Sequence, residues 1–537
     1  MQAIKTFFSH THHDQVPVHE LDNIEELTKR VKDSSFEANA TNEHDETPLH
    51  LLVKRPFTQD KLQLKMELII SMLTYSRADM NIPDNSGNSP LHSAVKAGEL
   101  GTVKVLVAFN ADVNQLNTDG ETPLDLVTRL QTPVDSNLVT FLESSGAKHS
   151  DNLKASGFDF SKLECSAVES QDIIAEAVSR TAVDLRQKTQ EILSNDQDNS
   201  NGRELASLVA KVDQLKKGGG RVLCLDGGGI RGLIQIEILS QLERETGKKV
   251  TELFDWIIGT STGGVVAISV IYPKLTLYEL RQFYFQARYE VFGTGKHGMA
   301  YNTDALIDIY RTNMAGYSMN DVKIPRILVS AVDKSSSNLK VRFFNNCFDD
   351  EYSTQEAWKV ARYTSAAPIL FKEMDDFVDG GVLAHNPSIL GISRIQEHYS
   401  KRGEMLPISM IVSIGTGIPP DRELGNIDAQ NYLSFGKKWF EGAVKETIGN
   451  LGTVLGNAIV DTQVAHISTS TVCAGFEVPY FRFDPPLSKV VSTGETDLNS
   501  LLDMMLVTKT TSGNWTQEVV EQLHKCVEAR ADFLESL

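Results

Sequence analysis

A chain of 537 residues has room for roughly two to four domains and at least one large apolar core. Hydrophobic residues make up 41% and charged residues 23%, which excludes a wholly disordered or collagen-like chain. The formal net charge of -19 argues against nucleic-acid binding and against membrane attachment by charge alone, so any membrane contact is expected to be apolar or local. Cys165, Cys224, Cys347, Cys473 and Cys526 are scattered and form no C-x-x-C, so neither a zinc site nor a disulfide framework is indicated, and a reducing compartment fits. The start MQAIKTFFSHTHHD has no secretory apolar region, and no window reaches the roughly 18 apolar residues of a membrane span, so a soluble, cytoplasmic protein is expected. His10, His12 and His13 read as an exposed tail rather than a metal tract.

Three segments then share one pattern: Thr47-Pro48-Leu49-His50, Ser89-Pro90-Leu91-His92 and Thr122-Pro123-Leu124-Asp125. Pro90 and Pro123 are 33 residues apart, and Pro48 and Pro90 are 42 apart, with the surplus expected in a loop near residues 56–63. Turn phrases Ala78-Asp79-Met80-Asn81 and Ala111-Asp112-Val113-Asn114 lie between the motifs. Residues 20–150 therefore resemble an ankyrin-repeat array, with an imperfect leading repeat at 24–39 and an atypical last one ending near 141–148. That resemblance implies an all-α array that binds a protein partner, with His50 and His92 satisfying backbone groups between repeats rather than catalysing. Residues 151–217 read as a helical connector broken by the polar run at 194–202.

From residue 218 to 537 the pattern becomes α/β. A strand at 221–225 leads into Asp226-Gly227-Gly228-Gly229-Ile230-Arg231-Gly232 and a helix over 233–245. Glycines at a helix start bare N–H donors for an anion, either a nucleotide pyrophosphate or the oxyanion of an ester under attack. Dinucleotide binding wants an acidic residue at the end of the second strand, whereas Glu243 and Glu245 fall on the first helix, which favours the oxyanion. The second strand, over 254–258, runs instead into Gly259-Thr260-Ser261-Thr262-Gly263 and a buried helix over 265–271. Such a strand–turn–helix elbow exposes a serine hydroxyl, with glycines permitting the tight turn and close approach, and the helix N-terminus favours negative charge there.

A base for Ser261 is then required. Histidine is the usual partner, and the order Ser261, Asp379, then His385, His398 or His466 formally permits a triad, yet no motif places any of the three. Asp379, on a strand end followed by Gly380 and Gly381, offers a direct Ser-Asp dyad if burial raises its basicity. The three motifs D-G-G-G-I-R-G, G-T-S-T-G-G and V-D-G-G-V-x-x-x-N-P, in this order over 221–392, closely resemble the patatin-like lipases. Joined to ankyrin repeats, they resemble calcium-independent group VI phospholipase A2 enzymes. The resemblance implies a three-layer α/β/α domain, nucleophile Ser261, base Asp379 and oxyanion donors Gly227, Gly228 and Gly229. Asp226, Arg231, Gly232, Gly259, Gly263, Gly380 and Gly381 support those motifs, with Arg231 at the family's basic position. It further implies hydrolysis of a glycerophospholipid acyl ester at a membrane surface without metal or cofactor, by a peripherally bound protein that relatives suggest is a homodimer.

Two other classes compete: an ankyrin scaffold carrying an inactive fold, and a nucleotide-binding protein using Gly227 to Gly232. Intact motifs disfavour the first. The strand at 408–414 and its Gly415-Thr416-Gly417 turn again resemble the family. Residues 432–460, with Phe435, Trp439 and Lys437 among them, suit a core helix better than a membrane or calmodulin contact, because glutamates dilute the positive face. A surface helix over 516–537 closes the chain.

Overall fold

The computed structural model describes residues 36–130, 136–150, 220–293, 301–335, 338–348, 350–368, 370–372, 374–401, 408–420 and 462–536. They belong to two compact units, Met1–Glu169 and Ser170–Leu537, each taken by itself below. The expected connector at 151–217, residues 24–35 of the leading repeat, the His10 to His13 tail, Cys165 and the segment 432–460 lie outside the described residues.

In the first unit, helices pair as Pro48–Lys54 with Leu62–Tyr75, Pro90–Lys96 with Leu100–Ala108, and Pro123–Leu130 with Ser136–Ser144. Proline suits the first turn, where an N–H would have no partner, and the hydroxyls of Thr47 and Ser89 accept from the N–H groups of His50 and His92. Each histidine is buried and serves two repeats. His50 Nδ1 accepts the Thr47 N–H while its Nε2 donates to the Asn88 carbonyl at 3.0 Å; His92 does the same with Ser89 and Glu121, the latter at 3.1 Å. Burial lowers both imidazoles and keeps them neutral. In the third motif Asp125 replaces the ring, accepting from the Thr122 N–H and from His149.

A ladder of asparagines couples the turns. Asn39, Asn81 and Asn114 accept through their amide oxygens from the N–H groups of Asp79, Asp112 and Lys148 in the following turns. The longer first interval is not a loop insertion alone. Its second helix has 14 residues against 9 in the next pair, and a 3-10 turn, Gln59–Lys61, precedes it. Lys65 on that lengthened helix is fully buried, donating to the carbonyls of Val53 and Arg55 and pairing with Glu99 at 2.6 Å, so the additional residues are built into the stack.

The second unit is built on a seven-stranded mixed sheet: β1 (Gly220–Leu225), β2 (Trp256–Thr260), β3 (Arg326–Asp333), β4 (Lys340–Asn345), β5 (Phe377–Asp379), β6 (Ile408–Ile414) and β7 (Tyr480–Phe483). The order is β4-β3-β2-β1-β6-β7, with β5 pairing β3 off this path. β1, β2, β3, β6 and β7 run parallel, whereas β4 and β5 are antiparallel to β3. The central strands are buried on both faces, which explains their unbroken apolar composition. Val222, Cys224, Trp256, Ile258 and Leu328 pack on one face with Ile392 and Ile395 of the helix Ser388–Ser400 and Cys473 of the helix Gln463–Gly475. The helices Thr262–Ile271 and Gly232–Thr246 cover the other face, completing three α/β/α layers. The elbow strand begins two residues later than its composition suggests, because 250–253 form a helical turn, and the closing helix begins at Gly513.

Strand pairing decides where the ends of β2 and β5 meet. β4 occupies one edge of β3 from Leu328 to Asp333, so β2 and β5 share the other. β2 runs along it until Thr260 faces Ser330; β5 takes over at the next residue, with Asp379 facing Ala331. The residue after Thr260 must therefore arrive beside Asp379.

In the first unit, His92→Ala strands buried backbone groups of two repeats and is expected to cost about 2 kcal/mol of stability. Chemical unfolding of the full chain should record that loss.

Candidate active site

Ser261 follows β2 and caps the helix Thr262–Ile271 with φ 52° and ψ -121°, a left-handed, strained conformation for a residue bearing a side chain. Close packing fixes that turn. A Cβ on Gly263 would lie 2.2 Å from the Leu225 carbonyl, so the elbow helix can sit against β1 only with glycine there. Gly259 lies in β2 directly below, facing the Gly263 backbone. The Ser261 N–H donates to Thr364 Oγ1 at 2.8 Å, and the hydroxyl donates to Asp379 Oδ2 at 2.7 Å.

Asp379 is 6% exposed and Ser261 8% exposed. The second carboxylate oxygen of Asp379 accepts the Gly381 N–H at 2.7 Å, while the Gly380 N–H donates to the Thr364 carbonyl. Thr364 thus ties the two motif turns together. Burial pushes the Asp379 carboxyl up to about 6, against lowering by the Gly381 N–H, the Ser261 hydroxyl and the buried Arg362 guanidinium. It is ionised at neutral pH yet a stronger base than an exposed carboxylate.

None of the three histidines accepts from Ser261. His398 stacks on Phe348, and His466 is hydrogen-bonded to the Tyr480 hydroxyl. His385 comes closer: its ring lies against Gly227 and Gly381. Burial, then the charges of Arg231 and Arg482, lowers its imidazole to about 3, so it stays neutral.

The glycine loop lies against the serine, Ser261 Cβ being 3.2 Å from where a Gly227 Cβ would be. Its backbone groups are held one by one. The Asp226 N–H donates to the Ile414 carbonyl, and the Asp226 carbonyl accepts from Gln235 at 2.8 Å. The Gly227 N–H donates to the His385 carbonyl at 2.9 Å, the Gly227 carbonyl accepts from Thr416 Oγ1 at 2.7 Å, and the Ile230 N–H donates to the Thr493 carbonyl. Among the described residues this leaves the N–H groups of Gly228 and Gly229 without an acceptor. Of the three expected oxyanion donors, Gly227 is the one whose N–H is already engaged, by the His385 carbonyl. Gly232 opens the helix Gly232–Thr246, and Arg231 reaches toward the Gly417 carbonyl. For a nucleotide, the second strand would have to end in an acid, and it ends at the serine elbow instead.

Thr364, Arg362 and Arg482 carry no motif in the sequence, and Thr416 is marked there only as part of the Gly415-Thr416-Gly417 turn. Arg482 lies in the otherwise aromatic strand Tyr480–Phe483, and a lone charge in an apolar strand is a usable signal. It is 9% exposed, with Nη2 at 2.7 Å from Asp226 and 2.6 Å from Asp484, and Nη1 at 2.9 Å from Ser413 Oγ. Burial lowers the guanidinium, but Asp226 and Asp484 outweigh this and hold it above its ordinary range. Among the described residues no cluster of three or more metal-ligating side chains occurs, and no helix is long and apolar enough to cross a membrane.

Residues 223–389 match the model of the patatin-like phospholipase family, and residues 73–127 match the ankyrin-repeat model. The chain carries a patatin-like domain and ankyrin repeats. It is 26% identical over 513 residues to "Intracellular phospholipase A2" of Caenorhabditis elegans, an alignment covering 90% of this chain and 45% of that protein. It is 27% identical over 356 residues to "85/88 kDa calcium-independent phospholipase A2" of Rattus norvegicus, covering 61% and 42% respectively. A "cGAMP-activated phospholipase" of Pseudomonas aeruginosa is 28% identical over 215 residues, 36% of this chain and 62% of that one. The chain therefore spans less than half the length of the worm and rat relatives.

A carboxylate raised to about 6 acts as a base only when ionised. The rate at which a fluorophosphonate modifies Ser261 is expected to rise with pH through about 6 and level off above about 7.5, read from labelling time courses across pH.

Proposed function

We propose that this protein is a lipid acyl hydrolase of the calcium-independent phospholipase A2 type, cleaving glycerophospholipid esters with a Ser261–Asp379 dyad. The observation that carries the proposal is the direct 2.7 Å hydrogen bond from the serine hydroxyl to a buried carboxylate beside two acceptor-free N–H groups. The names of the relatives and the patatin-like match support the substrate class.

In the first step the Ser261 oxygen bonds to the ester carbonyl carbon as Asp379 takes its proton. The oxyanion is held by the N–H groups of Gly228 and Gly229 and by the N-terminus of the elbow helix. Collapse breaks the ester C–O bond, and the departing lysolipid oxygen takes the proton from Asp379. Water then attacks the acyl-serine while giving a proton to Asp379, and collapse returns that proton to Ser261 and frees the fatty acid. The chemistry is assigned to residues 218–537, with 221–392 as its core; the ankyrin repeats at 20–150 supply a surface for a protein partner, with 151–217 as connector. Every reacting protein group is a side chain or backbone N–H of this chain, so the proposed reaction uses no metal; the name of the worm relative supports an intracellular setting, where the protein would act peripherally at a lipid surface.

Ser261→Ala and Asp379→Asn are each expected to lower kcat on a short-chain ester by about 10⁴-fold or more while the protein remains folded. Near wild-type turnover by a soluble Asp379→Asn protein would remove the dyad. Turnover is also expected to be unchanged by a calcium chelator; a steep loss restored by added calcium would contradict the metal-free mechanism.

A further inference from the structure

The turn after β6 places a hydroxyl on the back of the donor loop. Thr416 is buried, and its Oγ1 donates to the Gly227 carbonyl at 2.7 Å. In a trans peptide the carbonyl of one residue and the N–H of the next point in opposite directions. Holding the Gly227 carbonyl toward Thr416 therefore turns the Gly228 N–H the other way, off the side of the loop that Thr416 covers. The fit is close: a Cβ on Gly228 would lie 2.3 Å from Thr416 Oγ1, so the threonine and the glycine specify one another.

The turn carrying Thr416 is braced in its turn. Asp484 accepts the Gly417 N–H at 2.7 Å and lies where a Gly415 Cβ would be. Arg482 joins Asp484 to Asp226, the residue that opens the glycine loop. The loop and the turn are thus fixed to the same guanidinium at one end and to each other through Thr416 at the other.

We infer that Thr416 is a positioning residue whose hydroxyl aims the Gly228 N–H at the developing oxyanion, with Arg482 holding the loop and the turn in register. This rests on the hydrolase reading above. The Thr416 hydroxyl is spent on the Gly227 carbonyl, so it acts through the peptide between Gly227 and Gly228.

The test uses the full chain, a soluble short-chain ester, and a trifluoromethyl ketone whose serine adduct bears an oxyanion. Thr416→Val keeps the shape and removes the hydroxyl. It is expected to lower kcat roughly tenfold to a hundredfold and weaken the ketone by a similar factor, with KM within about twofold of wild type. Thr416→Ser keeps the hydroxyl and is expected to restore both. Should the valine protein not fold, Thr416→Ala deletes the hydroxyl without setting a methyl against the carbonyl and is read the same way. Unchanged kcat in the variants lacking the hydroxyl, a loss confined to KM, or a serine variant as impaired as the valine one would overturn the inference. A wild-type protein that neither turns over ester nor is labelled at Ser261 would instead remove the hydrolase reading, and the inference with it.

Discussion

The catalytic unit depends on how one edge of β3 is divided between two strands. β2 occupies it as far as Ser330 and β5 from Ala331 onward, so two strands approaching from different parts of the chain end almost against each other. The hydrogen bond between Ser261 and Asp379 follows from that junction rather than from a long loop folding back. Backbone pairing on a buried sheet is rigid, and the proposed dyad needs rigidity, because the serine meets the carboxylate directly, with no imidazole between them to take up an error in distance. Thr364, which accepts the Ser261 N–H and whose carbonyl takes the Gly380 N–H, locks the junction from the helix side.

Electrostatics around the junction are divided in a similar way. Burial raises the basicity of Asp379 against the Gly381 N–H, the Ser261 hydroxyl and the nearby Arg362; burial raises the fully buried Asp226 as well, but Asp226 is tied to Arg482 in an ion pair. In the proposed reaction one carboxylate transfers the proton, and the other holds a loop in place. Their separate tasks are set by their neighbours, since both sit at strand ends beside glycines.

Much of this was legible in the sequence because the local demands are severe. The turn at Ser261 tolerates little besides glycine at 259 and 263, and the repeat period of the first unit is enforced by stacking, so both leave marks in composition and spacing. The same holds for Asp379, announced by two glycines at a strand end. What was not legible depends on contacts across long stretches of chain. Thr416 and Arg482 lie 189 and 256 residues beyond their loop partners, and nothing local to either says what it will meet. The engagement of the Gly227 N–H has the same origin, since its acceptor is the carbonyl of His385, a group every residue possesses. The longer first ankyrin interval was visible as a number, but its distribution between a connector and a lengthened helix depends on packing, with Lys65 turned inward to Glu99.

The glycine loop is completed late as the protein is made. Apart from Gln235, nine residues beyond Asp226, its backbone is held by Ile414, His385, Thr416 and, across its far end, Thr493, each 158 or more residues beyond the loop residue it holds. During synthesis the serine elbow and the loop leave the ribosome long before any of these arrive. A nascent chain thus has Ser261 without a fixed glycine loop beside it, and the last of the contacts that fix the loop becomes possible only once Thr493 has emerged.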